Sequence, residues 1–218
     1  SETNLVRQDK NYKYDYFFEK IINEIGKRAF MPLTVGGGIN NVKDAEKFFK
    51  MGADKISINS QIYHNPKMIS ECAKVYGSQS LVASVDIGLI EEKNYKVFVD
   101  GGKTIVKEDI KNYIKKIEDL GAGEILLNSI HRDGMSNGYD LDLVDIIENN
   151  TKLPIIIAGG VGTWEDFLLG SQKNIDAVAA SNIFHFSENS YFEAIKYLND
   201  KGCNFRKPMI SKITKSKI

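Results

Sequence analysis

The stretch "TVGGGIN" (residues 34–40) ends a short apolar run on three consecutive glycines, and "IAGGVGT" (157–163) repeats the phrase. Gly38 and Gly160 are 122 residues apart. The same offset, without gaps, pairs Gly37 with Gly159, Asp44 with Asp166, Asp54 with Asp176, Asn59 with Ser181 and Ser60 with Asn182. A glycine pair, a helix, a strand and a small polar pair therefore recur as one supersecondary unit, and repetition of this length organises a whole fold. It implies two half-barrels related by a pseudo-twofold axis.

Working outward, apolar residues at helical spacing recur along the chain: Phe18–Ile25, Ala45–Gly52, Ile69–Tyr76, Ile110–Ile117 and Tyr191–Leu198. Between them lie six short aliphatic or β-branched runs, "PLTV", "KISIN", "LVASVD", "EILLN", "PIIIA" and "AVAAS". Strands alternating with helices predict a parallel sheet covered on both faces, hence near-continuous apolarity in each strand. "YKVFVDGGKTIV" (95–106) breaks the rhythm and reads as a β-hairpin around Asp100-Gly101-Gly102. No linker divides the 218 residues, so one domain is expected over 1–218. The tail "RKPMISKITKSKI" reads as a solvated basic terminus.

Composition narrows the function. Lys+Arg and Asp+Glu balance at 29 each, which gives no support to a nucleic-acid binder. Cys72 and Cys203 form neither a disulfide framework nor a metal-ligand spacing, and a reducing cytoplasm is expected. No signal peptide or membrane-length apolar run is present in the sequence. There is no zinc signature, no nucleophile triad and no dinucleotide fingerprint, so no metal and no cofactor is expected.

Chemistry in α/β barrels gathers where strands end. Here the runs end on Gly36-Gly37-Gly38, Asn59-Ser60, Asp86, Asn128-Ser129, Gly159-Gly160 and Ser181-Asn182. Glycine loops let backbone N–H groups approach an anion, and the following helix N-terminus adds partial positive charge. Two such loops related by the repeat suggest a ligand with a phosphate at each end; a lone Gly-Gly would be only a tight turn. Asp86 is the one carboxylate closing a strand run, a candidate general acid/base or, alternatively, a helix N-cap. Strand alternation puts Lys55 with Asn59, and Glu124 with Asn128. An internal Lys55–Glu124 pair is then expected, unless these residues reach solvent at the strand starts. In "HRDGMSNGYD" (131–140), Asp133-Gly134 is suited to bind substrate hydroxyls or to cap a turn. His131 is in no metal arrangement, and His64 and His185 are expected at loops or helix caps.

"PLTVGGGI", "GADKISINS", "GSQSLVASVD", "GAGEILLNSIHRDGMSNGYD", "PIIIAGG" and "AVAASNIFHFSE" closely resemble the cyclase subunit of imidazole glycerol phosphate synthase, over about residues 20–205. The resemblance implies a (βα)8 TIM barrel and a lyase of histidine biosynthesis, an amino-acid biosynthetic enzyme. Its substrate would be a bisphosphorylated aminoimidazole carboxamide ribonucleotide with a phosphoribulosyl-formimino arm. Ammonia would come through the barrel from a partner glutaminase in a heterodimer. Asp86 matches one of two acid/base aspartates. Asn59, Ser60, Asp133, Gly134, Gly160 and Ser181 match phosphate or substrate contacts, and Gly37, Gly38, Gly159, Asn128 and Ala180 join them as binding candidates at the same strand ends. Lys55 and Glu124 match charged residues gating the ammonia channel, and Asp54 an interface carboxylate.

Against that family the first strand, first helix and second strand are expected before Ser1, about 50 residues of a barrel of about 250. Asn128 stands where Thr is usual, His131 where Asp is, Met135 where Thr is and Ala158 where Ser is. Gly88-Leu89 replaces a basic pair. These changes leave a second function open: an ammonia-conducting barrel subunit of a glutamine amidotransferase complex that installs an amidine on a nucleotide sugar for surface polysaccharide. A phosphosugar isomerase without ammonia is a third; it would not need Lys55 and Glu124.

Overall fold

A computed structural model of the chain describes residues 14–28, 31–92, 94–185 and 190–205. The basic tail and the segment before residue 14 lie outside the described residues, as does part of the "FHFSE" motif. In order, the elements are α1 (Tyr14–Arg28), β1 (Thr34–Gly36), α2 (Val42–Lys50), β2 (Lys55–Ile58), α3 (Ser60–His64), α4 (Pro66–Tyr76) and β3 (Leu81–Glu91). Then follow β4 (Asn94–Val99), β5 (Thr104–Ile105), α5 (Ile110–Asp119), β6 (Glu124–Ser129) and α6 (Leu141–Ile147). The last are β7 (Ile155–Ala158), α7 (Trp164–Ser171), β8 (Ala177–Val178) and α8 (Ser190–Asp200). Single 3-10 turns occupy Ser78–Ser80 and Asn182–His185.

The class is α/β with parallel strands and intervening helices, a partial (βα)8 barrel, as the sequence predicts. The chain forms two compact units: one of residues 1–83 with 119–123, the other of 84–118 with 124–218.

In the first unit β1 pairs in parallel with β2, which pairs with the start of β3. Ile22 of α1, Val35 and Ala53 form a buried cluster with Leu33, Phe48 and Met51 packed against it. Burying an Ile or Val side chain in this way contributes roughly 1.5–3 kcal/mol. In the second unit β6, β7 and β8 are parallel, and Ile125, Leu127, Ile155 and Ile157 are fully buried.

The hairpin is present, with β4 and β5 antiparallel around residues 100–103. β3 runs on past Asp86 to Glu91 and pairs antiparallel with β4, Asp86 opposite Phe98. Asp86 therefore lies inside a strand rather than at its end. The N-cap alternative falls with this, since no helix begins there. The eleven-residue strand outlasts the apolar run "LVASVD" because Ile87, Leu89 and Ile90 continue its β-forming character beyond the carboxylate.

The repeat is borne out in coordinates. Thr34 faces Lys55 and Val35 faces Ile56; 122 residues on, Ile156 faces Ala177 and Ile157 faces Val178. Asp54 Oδ2 accepts the Leu33 N–H at 2.7 Å, and Asp176 Oδ2 accepts that of Ile155 at 2.9 Å. Asn41 caps α2 through Asp44 N at 3.0 Å, and Thr163 caps α7 through Asp166 N at 3.3 Å. The N–H of Ile62 closes on Asn59 O, and that of Phe184 on Ser181 O.

Candidate active site

Each half presents one glycine loop. After β1, Gly37 and Gly38 take φ of 102° and 70°; after β7, Gly159 and Gly160 take 96° and 98°. All four angles lie where side-chain-bearing residues are strained. The reasons for glycine differ between the halves. A Cβ at Gly37 or Gly38 would meet nothing within 4 Å, so those positions are open and exposed. A Cβ at Gly160 would lie 2.2 Å from the Gly138 carbonyl oxygen, because Gly138 N–H donates to Gly160 O at 2.8 Å. Here the glycine lets the 131–140 loop press its backbone on the 159–160 turn.

The residues leading into each helix are tied to its first turn. Asp44 Oδ2 accepts from Asn40 N–H at 2.8 Å, and Asp166 Oδ2 accepts from Gly162 N–H at 2.9 Å and Thr163 N–H at 2.8 Å. These N–H groups belong to the residue before the α2 cap and to the cap of α7 and the residue before it, so each carboxylate fixes the entry of the chain into its helix, as a capping box does. Asn59 and Ser60 sit at the start of α3, half-buried. Ala180 is half-buried and Ser181 exposed, just before the 3-10 turn.

Asp86 is half-buried on the strand face that also carries Ser84. The Asn128 side-chain amide donates to Asp86 Oδ1 at 3.1 Å. β6 alternates as expected: Glu124, Leu126 and Asn128 share the half-buried face, and Ile125, Leu127 and Ser129 are buried behind it. Next to Asp86 the space of a side chain at Gly88 is taken. A Cβ there would lie 2.9 Å from the Phe98 ring and 3.2 Å from Ile130. Apolar groups stand where the resemblance implies a basic residue.

Asp133 is exposed; its N–H and that of Arg132 both donate to Ser129 O, closing the turn that Gly134 completes with φ of 78°. Lys55 and Glu124 each open a strand and are half-buried, in different units. Asp54 is exposed, its carboxylate engaged by Leu33. His64 closes α3 and His185 closes the last 3-10 turn, positions consistent with the cap reading. Among the described residues no group of three or more His, Cys, Asp or Glu is placed to hold a metal, and no helix is long and apolar enough to cross a membrane.

One cluster escaped the sequence reading. Asp140, 4% exposed, caps α6 and accepts from Tyr95 Oη at 2.8 Å and Ser129 Oγ at 3.2 Å. His131 Nε2 lies 3.1 Å and Arg132 Nε 3.6 Å from its Oδ2. Burial, and then the bond to Asp140, pushes the Tyr95 phenol well above its ordinary value. The cluster ties the hairpin, β6 and the 131–140 loop together. The only sequence signal was the polarity of that loop; Tyr95, 45 residues earlier, gave none.

The comparisons with known proteins agree with the geometry. The family model described as "Histidine biosynthesis protein" matches residues 16–190. Imidazole glycerol phosphate synthase subunit HisF of Dictyoglomus thermophilum is 43% identical over 185 residues, covering 85% of this chain and 73% of that protein. The subunit HisF of Chlorobium phaeovibrioides is 42% identical over 189 residues, covering 86% and 74%. That of Dictyoglomus turgidum is 40% identical over 185 residues. With four-fifths of its length inside the family model and relatives of this closeness, the chain belongs to the histidine biosynthesis protein family.

Proposed function

We propose that this chain is the cyclase subunit of an imidazole glycerol phosphate synthase. The repeat carries the reading: the same glycine loop, capped helix and small polar pair recur in each half, one phosphate seat per half, on a chain 43% identical to a subunit of that name. The substrate is the bisphosphorylated aminoimidazole carboxamide ribonucleotide with its phosphoribulosyl-formimino arm. Ammonia, supplied in the cytoplasm by a glutaminase partner, condenses with the ribulosyl ketone and water leaves. The new nitrogen closes on the formimino carbon, and aminoimidazole carboxamide ribonucleotide departs, leaving imidazole glycerol phosphate. These steps need a positioned proton acceptor and donor, the role of Asp86, oriented by Asn128. Lys55, Glu124 and Asp54 serve ammonia passage and the glutaminase interface.

The test uses the full-length protein with the ribonucleotide and ammonium salt at alkaline pH, where free ammonia replaces the partner. Ring closure is expected; its absence in a protein with native circular dichroism overturns the cyclase reading.

One observation favours the second reading, ammonia delivery for amidine formation on a nucleotide sugar. Asn128 and the Phe98–Ile130 closure over Gly88 remodel the surroundings of Asp86 away from the family pattern. Under that reading Lys55→Met abolishes glutamine-dependent amidation while ring closure is absent from the start.

A further inference from the structure

The second half differs from the first beside its glycine loop. A cleft of about 320 Å³ opens there, lined by Ser136, Val161, Gly162, Thr163, Trp164, Asn182 and Ile183. In the first half, the residues 122 positions earlier than Gly162 and Ile183 are Asn40 and Gln61. Gln61 Nε2 donates to Asn40 Oδ1 at 3.0 Å, a bridge across the corresponding place. Gly162 and Ile183 can form no such bridge. Beneath the cleft Asp166 accepts the N–H groups of Gly162 and Thr163, which places a carboxylate at the helix start and disfavours an anion there.

The cleft thus offers one flat aromatic wall, apolar flanks and neutral polar groups. Trp164 is half-buried, backed by Phe167 and Phe184 with ring centroids 6.0 and 6.5 Å away. Val161 and Ile183 supply apolar surface; the hydroxyls of Ser136 and Thr163 and the amide of Asn182 supply donors and acceptors. Ser136 is held over the cleft, so close that a Cβ on Gly162 would lie 2.7 Å from its Cβ. The volume is that of a small-molecule site. A neutral heterocycle fits this chemistry: it stacks on an aromatic ring and hydrogen-bonds at its edge.

We propose that the Trp164 cleft is a base subsite, which takes the heterocycle of a nucleotide whose phosphate rests on the adjoining Gly159-Gly160 loop. The inference rests on the reading of that loop as a phosphate seat.

Trp164 is the only tryptophan among these 218 residues, and the quench that is lost in Trp164→Phe is the part that reports the cleft. The full-length protein is titrated with uridine monophosphate, aminoimidazole carboxamide ribonucleotide, ribose 5-phosphate and inorganic phosphate. At least one of the two nucleotides is expected to quench Trp164 and to bind about tenfold tighter than ribose 5-phosphate. Which one does so identifies the base. By calorimetry, Trp164→Leu is expected to reduce that nucleotide to the affinity of ribose 5-phosphate, whose own binding is unchanged, and Trp164→Phe to keep most of the difference. Nucleotides that bind no tighter than ribose 5-phosphate, without quenching, overturn the base subsite while leaving the phosphate seat intact. Quenching by nucleotides with no binding of either simple phosphate overturns the phosphate seat instead. Should Trp164→Leu not fold, the titrations of the unaltered protein and of Trp164→Phe still decide the matter.

Discussion

The side-chain amide of Asn128 donates to Asp86 Oδ1 at 3.1 Å, joining the carboxylate in the middle of β3 to the polar end of β6. A general acid/base held by a neighbouring amide keeps its orientation through the proton transfers. Asp86→Asn is expected to lower kcat for ring closure by about 10²–10⁴-fold with little change in KM. Steady-state assay with ammonium salt checks it; a loss confined to KM would make Asp86 a binding residue only.

Asp54 and Asp176 make the same clamp in the two halves, each accepting the N–H that enters the preceding strand. Asp54→Ala and Asp176→Ala should each cost about 1 kcal/mol, and by similar amounts. Urea unfolding measures both. A loss of glutamine-dependent activity in Asp54→Ala alone, with ammonium-dependent activity retained, would mark the additional interface role.

The glycine loops should respond unequally to substitution. Gly37→Ala meets open space and suffers only the positive φ, about 1 kcal/mol. Gly160→Ala meets the Gly138 carbonyl at 2.2 Å as well, and should cost about 3 kcal/mol or prevent folding. Thermal denaturation of the two variants compares them directly; equal costs would refute the close approach of the 131–140 loop.

Burial, with the Asp166 charge as a lesser cause, pushes the Tyr139 phenol well above its ordinary value of about 10. A raised folded-state value means that the neutral phenol is favoured by folding. The stabilisation is complete below pH about 10, where the unfolded phenol titrates, and is lost as pH rises through the folded value. Stability should therefore fall above pH 10. Tyr139→Phe should flatten that fall while losing about 1 kcal/mol at neutral pH, since its hydroxyl donates to Ala179 O at 3.0 Å. Denaturant midpoints at pH 8 to 11 test both.

Much of this was legible in the sequence for identifiable reasons. The five periodic helices and the six strand runs follow from amphipathic spacing and aliphatic bias, which are local properties. The repeat was legible because glycines, aspartates and small polar residues mark turns, clamps and caps at fixed offsets. What was missed is short or non-local. α3 and α6 are five and seven residues long, too short for a clear period. The extent of β3 is decided by its partner β4, and Asp86 could not be placed within a strand without that pairing. The capping carboxylates Asp44 and Asp166 were seen as a repeat, yet their effect, to accept the N–H groups of Asn40, Gly162 and Thr163 ahead of the helices, emerged only from the bonds themselves. Tyr95 and Asp140 meet across 45 residues, with no pattern to announce it.

The Asp54 and Asp176 clamps each span only 21 residues of chain. Closing so short a loop costs little entropy, and contacts of low sequence separation form early. Each strand–helix–strand repeat thus carries its own latch, beside its own helix cap, within a segment short enough to nucleate alone. Either repeat is then expected to serve as a starting point for refolding, so that in stopped-flow refolding Asp54→Ala or Asp176→Ala alone lowers the rate by about half rather than collapsing it.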